Sequence, residues 1–282
     1  PLLQALYSQK PTGTLYHYTT AATLKKIVDG GVLHATQIQY MNDSKEYSRA
    51  VDVALHLLED REKKKGPSLA NDVFKRELEV INLRTRTFIA SLSEEGDKLS
   101  QWRGYCRDGG VSIGFEHEKI QRVASKNYFQ LRKCEYNESR QLAILHELLN
   151  SHLPIAEKVS TEEQIFGQFH GHFGGIFHQI APCFKHPSFE EEHEWRLIAA
   201  PSTGHVLMDK LDWREGNDLL TPFLPIDLGI DEKIPLKEVY VAPTVNYPLS
   251  FESLWSYFNC HKVASTLEAT PEIKQSRSPF TG

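Results

Sequence analysis

The order of strand-type and helix-type patterns is the feature of this 282-residue chain that most limits its fold. The two kinds of pattern arrive in blocks: short strands and helices first, then three strand patterns, two long helical patterns, and a last third that is mostly strands. Blocks of this kind favour an α+β fold over a doubly wound parallel sheet, in which strands and helices alternate. Because no internal repeat and no Gly/Ser-rich linker divides the chain, we predict a single domain, residues 1–282.

Within that domain the sequence predicts helical segments at 43–82 and 137–182, an N-terminal extension at 1–13 and a C-terminal tail at 270–282. Further helices are expected from about residue 20 and at 250–258. Runs of β-branched and aromatic residues mark the strands. The predicted strands are 14–19, 32–40, 87–93, 111–116, 129–136, 194–200, 204–212, 236–242 and 262–267.

Charge and cysteine content narrow the classes of partner and compartment. The chain has 32 Lys and Arg against 37 Asp and Glu, a formal net charge of −5, and a pI near 6.2. This balance argues against a basic nucleic-acid coat and against a protein that binds anionic membranes. Four widely separated cysteines suit a reducing cytoplasm, and no apolar run approaches the ~18 residues of a membrane span. We therefore expect a cytoplasmic protein, or one delivered into a target cell.

His17 stands in the first predicted strand, within the segment Leu15-Tyr16-His17-Tyr18-Thr19. Side chains alternate along a strand, so His17 shares a face with Leu15 and Thr19, while the two tyrosines face the other side. An imidazole at this position can hydrogen-bond a ligand hydroxyl. The alternative is a core histidine whose polar atoms are satisfied internally.

A segment from Tyr40 through Asn42 and Asp43 to Glu46 joins a predicted strand to a predicted helix. Asp43 with Glu46 three residues later forms a capping-box pattern. A helix N-terminus suits a phosphate group, because it presents free N–H groups and the positive end of the helix dipole. The alternative is a plain helix cap.

Ser91 and Ser93 share one face of a predicted strand and are followed by Gln101-Trp102-Arg103. Trp102 offers a stacking surface, and Arg103 offers the planar fork that binds an anion through two hydrogen bonds. The alternative is a core tryptophan beside a surface ion pair.

Residues Glu190–Glu194 place four carboxylates within five positions, directly before a predicted strand. At strand spacing Glu192, Glu194 and Arg196 share one face. A carboxylate among other acids and beside an arginine is a candidate for a perturbed pKa. A solvated acidic loop is the alternative, and a nuclease that uses this cluster with Mg²⁺ is a third hypothesis.

Four histidines occur within a short stretch of the second long helical pattern and after it, and such a group raises the question of a metal site. The first two are separated by one residue and so point to different faces of a helix, and no carboxylate is fixed nearby in sequence. We therefore expect no metal. The four are His170, His172, His178 and His186.

In combination these segments resemble a widespread bacterial family described only as a domain of unknown function. The resemblance runs from Thr14 to Phe280, nearly the whole chain. Five motifs carry it, in chain order Leu15-Tyr16-His17-Tyr18-Thr19, Tyr40-x-Asn42-Asp43-x-x-Glu46, Phe88-x-x-Ser91-x-Ser93, Gln101-Trp102-Arg103-Gly104-Tyr105 and Glu191-Glu192-x-Glu194-Trp195-Arg196. The Gln-Trp-Arg motif and the Glu-x-Glu-Trp-Arg motif are the most specific of the five.

The chain also resembles the ADP-ribosyltransferase superfamily, through a first strand with His-Tyr-Thr, a second strand ending in an aromatic residue, and a late strand bearing a glutamate. That resemblance implies a split two-sheet β core with flanking and inserted helices, and cleavage of NAD as substrate without a metal. It implies catalytic roles for His17 on the ribose, Tyr40 stacked on nicotinamide, and Glu194. The remaining NAD-binding candidates are Tyr18, Thr19, Asn42, Ser91, Ser93, Gln101, Trp102, Arg103 and Arg196.

The expected function is therefore that of an ADP-ribosyltransferase or NAD glycohydrolase, as a toxin, effector or phage-defence component. A non-catalytic nucleotide- or partner-binding module on the same fold is the alternative to an enzyme. The negative net charge favours a protein or small-molecule acceptor over a nucleic acid, although the basic residues between Lys75 and Arg86 leave RNA or DNA as an alternative acceptor. The sequence does not indicate an oligomeric state.

Overall fold

The computed structural model describes residues 1–41, 44–84, 86–106, 109–200, 208–215, 219–244 and 246–279. This part of the chain contains ten strands and eleven α-helices. The strands are β1 Thr14–Thr19, β2 Val32–Gln37, β3 Phe88–Ser93, β4 Val111–Glu116, β5 Gln130–Lys133, β6 Glu194–Ala199, β7 Asp212–Glu215, β8 Leu220–Asp227, β9 Leu236–Val241 and β10 Glu272–Gln275.

The helices fall before, between and after these strands, as the α+β prediction requires, and that prediction is confirmed. In the described part of the chain, no helix is both long enough and apolar enough to cross a bilayer. The helices are α1 Leu2–Tyr7, α2 Ala21–Gly30, α3 Ser44–Lys65, α4 Leu69–Arg84, α5 Leu99–Tyr105, α6 His117–Lys126, α7 Glu138–Ala156, α8 Glu162–Gln168, α9 Gly174–Ile180, α10 Tyr247–Asn259 and α11 His261–Ala264.

The ten strands form one mixed sheet, and eight of them follow the order β10-β9-β4-β1-β3-β2-β8-β7. Strand β6 pairs with the other edge of β3, and β5 pairs with β6. All neighbouring strands are antiparallel except β9 and β10. On its first edge β3 has two neighbours: β1 at Ser93, and β2 at Phe88 and Ile89. The three residues between, 90–92, pair with neither strand, so the sheet is split there.

Two apolar cores cover the two faces of the sheet. One lies between the sheet and helices α2, α6, α10 and α11, and it contains Leu15, Ile113 and Trp195. The other is formed mainly by helices α3, α4, α7, α8 and α9, and it receives Ile89 and Ile198 from the sheet. Alternation along β3 and β6 therefore puts Ser91, Ser93, Glu194 and Arg196 on the face of the second core.

Local signals explain where several elements begin and end. Thr20 caps the N-terminus of helix α2, because its hydroxyl accepts a hydrogen bond from the N–H of Thr23 at 3.1 Å. Gly31, which has a φ of 65°, caps the C-terminus of the same helix. Helix α7 begins after Asn137, whose side chain accepts from the N–H of Arg140 at 3.0 Å. These are the capping residues that the sequence patterns require.

Several predicted boundaries are wrong. The strand expected at 262–267 is in fact helix α11 followed by a turn, and only Leu267 forms an isolated bridge, to Ile234. The strand expected at 32–40 ends at Gln37 in a 3₁₀ turn, and the second of the two helical patterns within 137–182 is divided by a π-helical turn at Phe169–Phe173. Of the strand expected at 204–212, residues 204–207 lie outside the described residues, Met208–Lys210 form a 3₁₀ turn, and only Asp212 belongs to a strand, β7.

The sequence analysis missed several elements, each for an identifiable reason. Strand β8 contains Pro222 and Pro225, which usually indicate a break in a strand. The extension at 1–13 contains α1, whose Leu6 is buried, and the tail at 270–282 contains β10, which pairs in parallel with β9. Short elements of this kind are set by tertiary pairing more than by local propensity.

Gly110, directly before β4, provides a test of how closely two segments approach. A Cβ atom built on Gly110 would lie 2.5 Å from the carbonyl oxygen of Thr19 and 2.8 Å from the Sγ of Cys106. We expect Gly110→Ala to lower the free energy of unfolding by about 1–3 kcal/mol. Urea denaturation measures this loss, and Gly104→Ala in α5 is the control, because a Cβ at Gly104 meets nothing within 4 Å. An equal effect of both substitutions would contradict the close-approach explanation.

Candidate functional site

The split between β1 and β2 opens into a cavity of about 890 Å³. Its walls come from β1, α2, β2 and β3, with contributions from α5, the start of β6 and the end of β7. Small-molecule sites usually occupy roughly 300–1,000 Å³, so this cavity is large enough for a nucleotide-sized ligand. Residues from widely separated parts of the sequence meet here.

His17 lines this cavity and connects β1 to the unpaired stretch of β3. Its ring Nδ1 lies 3.0 Å from the carbonyl oxygen of Ser91. A carbonyl oxygen only accepts hydrogen bonds, so Nδ1 carries the proton. Burial lowers the pKa of His17, and Arg214 lowers it further, whereas the hydrogen bond to Ser91 acts in the opposite direction. The ring is therefore neutral at pH 7, and Nε2, which has no partner among the described residues, is an acceptor.

Glu194 lies at the start of β6, lines the same cavity and is only 4% exposed. Its carboxylate accepts from Arg196 Nε at 2.7 Å, from Arg196 Nη2 at 3.1 Å and from Lys185 Nζ at 2.6 Å. Its backbone N–H donates to the hydroxyl of Tyr136 at 2.8 Å. Burial raises the pKa of Glu194, but the charges of Arg196 and Lys185 outweigh it and lower the pKa to about 2. The carboxylate is therefore ionised and held in one orientation.

Arg196 lies behind Glu194 and outside the cavity lining. It is completely buried, donates from Nη1 to the carbonyl oxygen of Pro182, and contacts Glu46 at 3.4 Å. The prediction that Arg196 binds a cofactor therefore finds no support in its position, because its guanidinium is already bound to protein groups. Its effect on the cavity is exerted through the orientation and charge of Glu194.

Lys185 joins Glu194 to Glu192, another carboxylate of the cavity lining. Its ammonium group is buried and contacts both carboxylates. A cation of the protein therefore occupies the position between these acids that a divalent metal would need. The described residues contain no group of three or more His, Cys, Asp or Glu side chains placed to hold a metal ion. This arrangement disfavours the Mg²⁺ nuclease hypothesis.

The two predicted serines also lie at the cavity, and both take part in the architecture of the split. Ser91 supplies the carbonyl oxygen that His17 binds. The hydroxyl of Ser93 donates to the carbonyl oxygen of Glu192 at 2.7 Å and accepts from the N–H of Glu95 at 3.0 Å. Ser93 therefore fixes the loop that carries Glu192 against β3.

Tyr18, Thr19 and Gln101 line the cavity, whereas Trp102 lies behind them. Trp102 is buried, meets Tyr18 edge-on with ring centroids 4.7 Å apart, and donates from Nε1 to Asp97 at 2.8 Å. The tryptophan is therefore a core residue that supports Tyr18. Its predicted role as a stacking surface for a ligand does not fit this position.

Two other predicted site residues do not line the cavity in the described structure. Arg103 is exposed on α5, and Tyr40 is exposed in the 3₁₀ turn after β2; neither is among the described residues that line the cavity. Tyr40 does not end a strand, because β2 stops three residues earlier. Asn42 lies outside the described residues.

The histidines that raised the metal question have separate surroundings. His170 contacts Glu77 at 2.9 Å, and the Nδ1 of His186 accepts from the N–H of Ser188 at 3.2 Å. His178 is buried in the helical core, where its Nδ1 lies 2.9 Å from the hydroxyl of Tyr47 and 3.2 Å from that of Thr87. Each of these three histidines therefore serves a different local contact.

His178 provides a prediction for acid stability. Burial lowers the pKa of His178 to about 3, with a smaller contribution from His170. In the unfolded chain the pKa of this histidine is about 6.5. Between pH 6.5 and pH 3 the unfolded chain therefore binds a proton at His178 that the folded chain does not bind, so the free energy of unfolding falls as pH falls. We expect His178→Gln to remove about 3 kcal/mol of the loss between pH 7 and pH 4. Urea unfolding of both proteins at the two pH values measures the difference; parallel losses would contradict it.

The basic residues that kept RNA and DNA open are partly engaged with protein carboxylates. Lys75 pairs with Glu62, and Arg76 pairs with Glu162. Side chains already neutralised in this way contribute less to a nucleic-acid surface. The side chain of Arg84 lies outside the described part of the chain.

Two cations, one histidine and one carboxylate of the cavity lining carry no motif that would single them out in the sequence. These are Lys26 in α2, His34 in β2, and Arg214 and Glu215 in β7. Only the pairing of β2 with β8, and of β8 with β7, brings Arg214 to this place. The sequence holds no local signal for such an arrangement.

A comparison with protein families matches residues 101–197, about a third of the chain, to DUF2971, a protein of unknown function. The match contains Gln101-Trp102-Arg103 and Glu194-Trp195-Arg196, the motifs that carried the resemblance to a family of unknown function, and supports that resemblance over this segment. No curated protein and no solved structure matches the chain.

Proposed function

We propose that the cavity binds NAD and that the protein cleaves the bond between nicotinamide and ribose, as an NAD glycohydrolase or an ADP-ribosyltransferase. One observation carries the proposal: a neutral His17, on the face of the first core, and an ionised, oriented Glu194, on the face of the second core, line the same cavity where the sheet is split. The resemblance to ADP-ribosyltransferases implies two sheets, whereas the described strands form one mixed sheet in which the pairing of β3 is interrupted at this cavity.

His17 would position the ribose. Its Nδ1–H is held by Ser91, so the lone pair on Nε2 is left to accept a hydrogen bond from a ribose hydroxyl. A side chain fixed at one nitrogen loses little further conformational freedom when a ligand binds the other. Such pre-organisation lowers the entropic cost of placing the reacting carbon.

Glu194 would stabilise the reacting carbon electrostatically. When the bond between ribose C1′ and the nicotinamide nitrogen breaks, the electron pair leaves with nicotinamide and positive charge develops on the ribose. A carboxylate that is already ionised and fixed favours that charge without reorganising. Water, or a nucleophilic group of an acceptor, then forms the new bond to C1′ and loses a proton. Arg196 and Lys185 keep Glu194 ionised, but their positive charges also partly neutralise the carboxylate.

A binding module without catalysis is the second candidate function. It is favoured by the same contacts, because both His17 and Glu194 already serve the protein structure through Ser91, Arg196 and Lys185. In that case NAD or a related nucleotide would occupy the cavity unchanged.

Incubation of the purified protein with NAD separates these functions. Release of nicotinamide with free ADP-ribose indicates a glycohydrolase, and release of nicotinamide with label transferred from the adenine moiety to added protein indicates a transferase. Saturable NAD binding without nicotinamide release supports the binding module. Neither binding nor cleavage of NAD would overturn the proposal.

A further inference from the structure

Two cationic side chains of the cavity have no carboxylate partner in the part of the chain that the structure describes. They are Lys26 of α2 and Arg214 of β7. The neighbouring Lys25 differs, because it pairs with Asp29 across one turn of the helix. Although the carboxylates of Asp212 and Glu215 lie in the same strand as Arg214, neither forms an ion pair with it, so both cations retain donors for an anionic ligand.

Arg214 reaches the cavity from the edge strand of the sheet. Its Nη2 donates to the hydroxyl of Thr36 at 2.9 Å, so the side chain crosses β8 to arrive at β2. A guanidinium has five N–H donors in a fixed plane, and this bond uses one of them. The remaining donors suit the oxygen atoms of a phosphate group.

His34 places the two cations in one region of the cavity. Burial lowers the pKa of His34, and the nearby charges of Arg214 and, to a smaller extent, Lys26 lower it further, while Asp212 acts in the opposite direction. The ring of His34 stacks on Phe223 with centroids 3.7 Å apart and an angle of 18° between the planes. This region therefore combines two cations and the carboxylate of Asp212 with the flat ring of His34, which is held against Phe223.

The region around Glu192 and Glu194 has the opposite arrangement. Both carboxylates are paired with Lys185, and Glu194 also with Arg196. Their cations come from the protein, so this region has no need of a cationic ligand group for charge balance. Among the charged lining residues that the structure describes, Lys26 and Arg214 are cations without an ion-pair partner, and Glu215, next to Arg214 in β7, is a carboxylate without one.

We propose that Lys26 and Arg214 form an anion-binding subsite that holds the diphosphate group of a nucleotide ligand. The inference rests on the proposed function in taking the ligand to be NAD or a related nucleotide diphosphate. It adds the residues that would recognise the diphosphate and the orientation of the ligand, with its phosphates toward α2 and β7 and its reacting ribose toward Glu194.

Calorimetric binding of ADP-ribose, which requires no cleavage, tests the subsite. Lys26→Met and Arg214→Met are each expected to weaken ADP-ribose binding about tenfold to a hundredfold, since each removes a charge-assisted contact. Adenosine, which has no phosphate, should bind the wild type and both variants with equal, weaker affinity. Lys25→Met is the matched control on the same helix and should bind ADP-ribose like the wild type.

The outcomes separate this inference from the proposed function. Wild-type affinity for ADP-ribose in both variants would overturn the subsite, as would an equal loss of adenosine affinity, which indicates a disturbed cavity. Weakened ADP-ribose binding in a protein that releases no nicotinamide would support the subsite while the proposed cleavage fails. Inorganic pyrophosphate should compete with ADP-ribose less well in the Lys26 and Arg214 variants than in the wild type. Equal competition in all three proteins would show that the anion binds elsewhere and would overturn the subsite.

Discussion

Replacing Glu194 by glutamine is expected to lower kcat for nicotinamide release about 10²–10³-fold, with a smaller effect on NAD affinity. The substitution keeps the shape of the side chain but removes the negative charge that would stabilise the developing ribose cation. Interactions made mainly in the transition state affect kcat more than substrate binding. Single-turnover release of nicotinamide, measured beside NAD affinity, provides the comparison.

The controls for Glu194→Gln must separate chemistry from stability, because the carboxylate is part of a buried ionic network. Glu191 is exposed and its nearest described cation, Lys98, lies 3.8 Å away, so Glu191→Gln should leave both activity and melting temperature unchanged. Glu192→Gln also removes a carboxylate from Lys185 and so reports the effect of disturbing the network. An equal loss of kcat in the Glu192 and Glu194 variants, at a temperature where both are folded, would contradict the proposal that Glu194 stabilises the developing ribose cation.

Replacing Arg196 by methionine is expected to lower the free energy of unfolding by about 3–5 kcal/mol, a fall of roughly 6–15 °C in melting temperature. Arg196 is completely buried and supplies two hydrogen bonds to Glu194 and one to the carbonyl oxygen of Pro182. Its removal leaves Lys185 as the main counterion of a buried carboxylate. The pKa of Glu194 would then rise, because Arg196 is the largest of the charges that lower it.

Arg196→Lys is the matched variant for this prediction. It retains the positive charge but not the planar fork, so we expect an intermediate loss of stability. Thermal unfolding at pH 7 and pH 3 tests both points. In the wild type Glu194 loses its stabilising contribution as pH falls from about 4.5 toward its folded pKa of about 2, and a variant in which that pKa has risen loses less stability over this interval. A melting temperature within 2 °C of wild type for the methionine variant would contradict a role for Arg196 in holding the network.

The sequence was most informative where a residue's surroundings are local. Alternation along 14–19 placed His17 and Leu15 on one face of β1, and the spacing of Glu192, Glu194 and Arg196 indicated a charged cluster before β6. Both expectations depend only on neighbours in the chain. The blocks of strands and helices likewise predicted the α+β class without any knowledge of tertiary contacts.

Positions that depend on distant partners could not be predicted. Lys185 lies nine residues from Glu194 without a recognisable motif, yet its ammonium binds that carboxylate. Arg196 was expected at a ligand, but the second core buries it behind Glu194. Tyr40 was expected to end a strand, whereas the pairing of β2 stops at Gln37. In each case tertiary pairing decides where the side chain lies, and the local pattern contains no record of it.

The neighbours of β4 have a consequence for any shortened version of this protein. Strand β4 lies within the matched segment 101–197, but its two neighbours, β1 and β9, lie before and after that segment. A fragment limited to 101–197 would leave both edges of β4 unpaired, and unpaired edges promote association between chains. It would also lack His17, Lys26 and Arg214. The family match therefore marks a recognisable stretch of sequence that is not an autonomous folding unit.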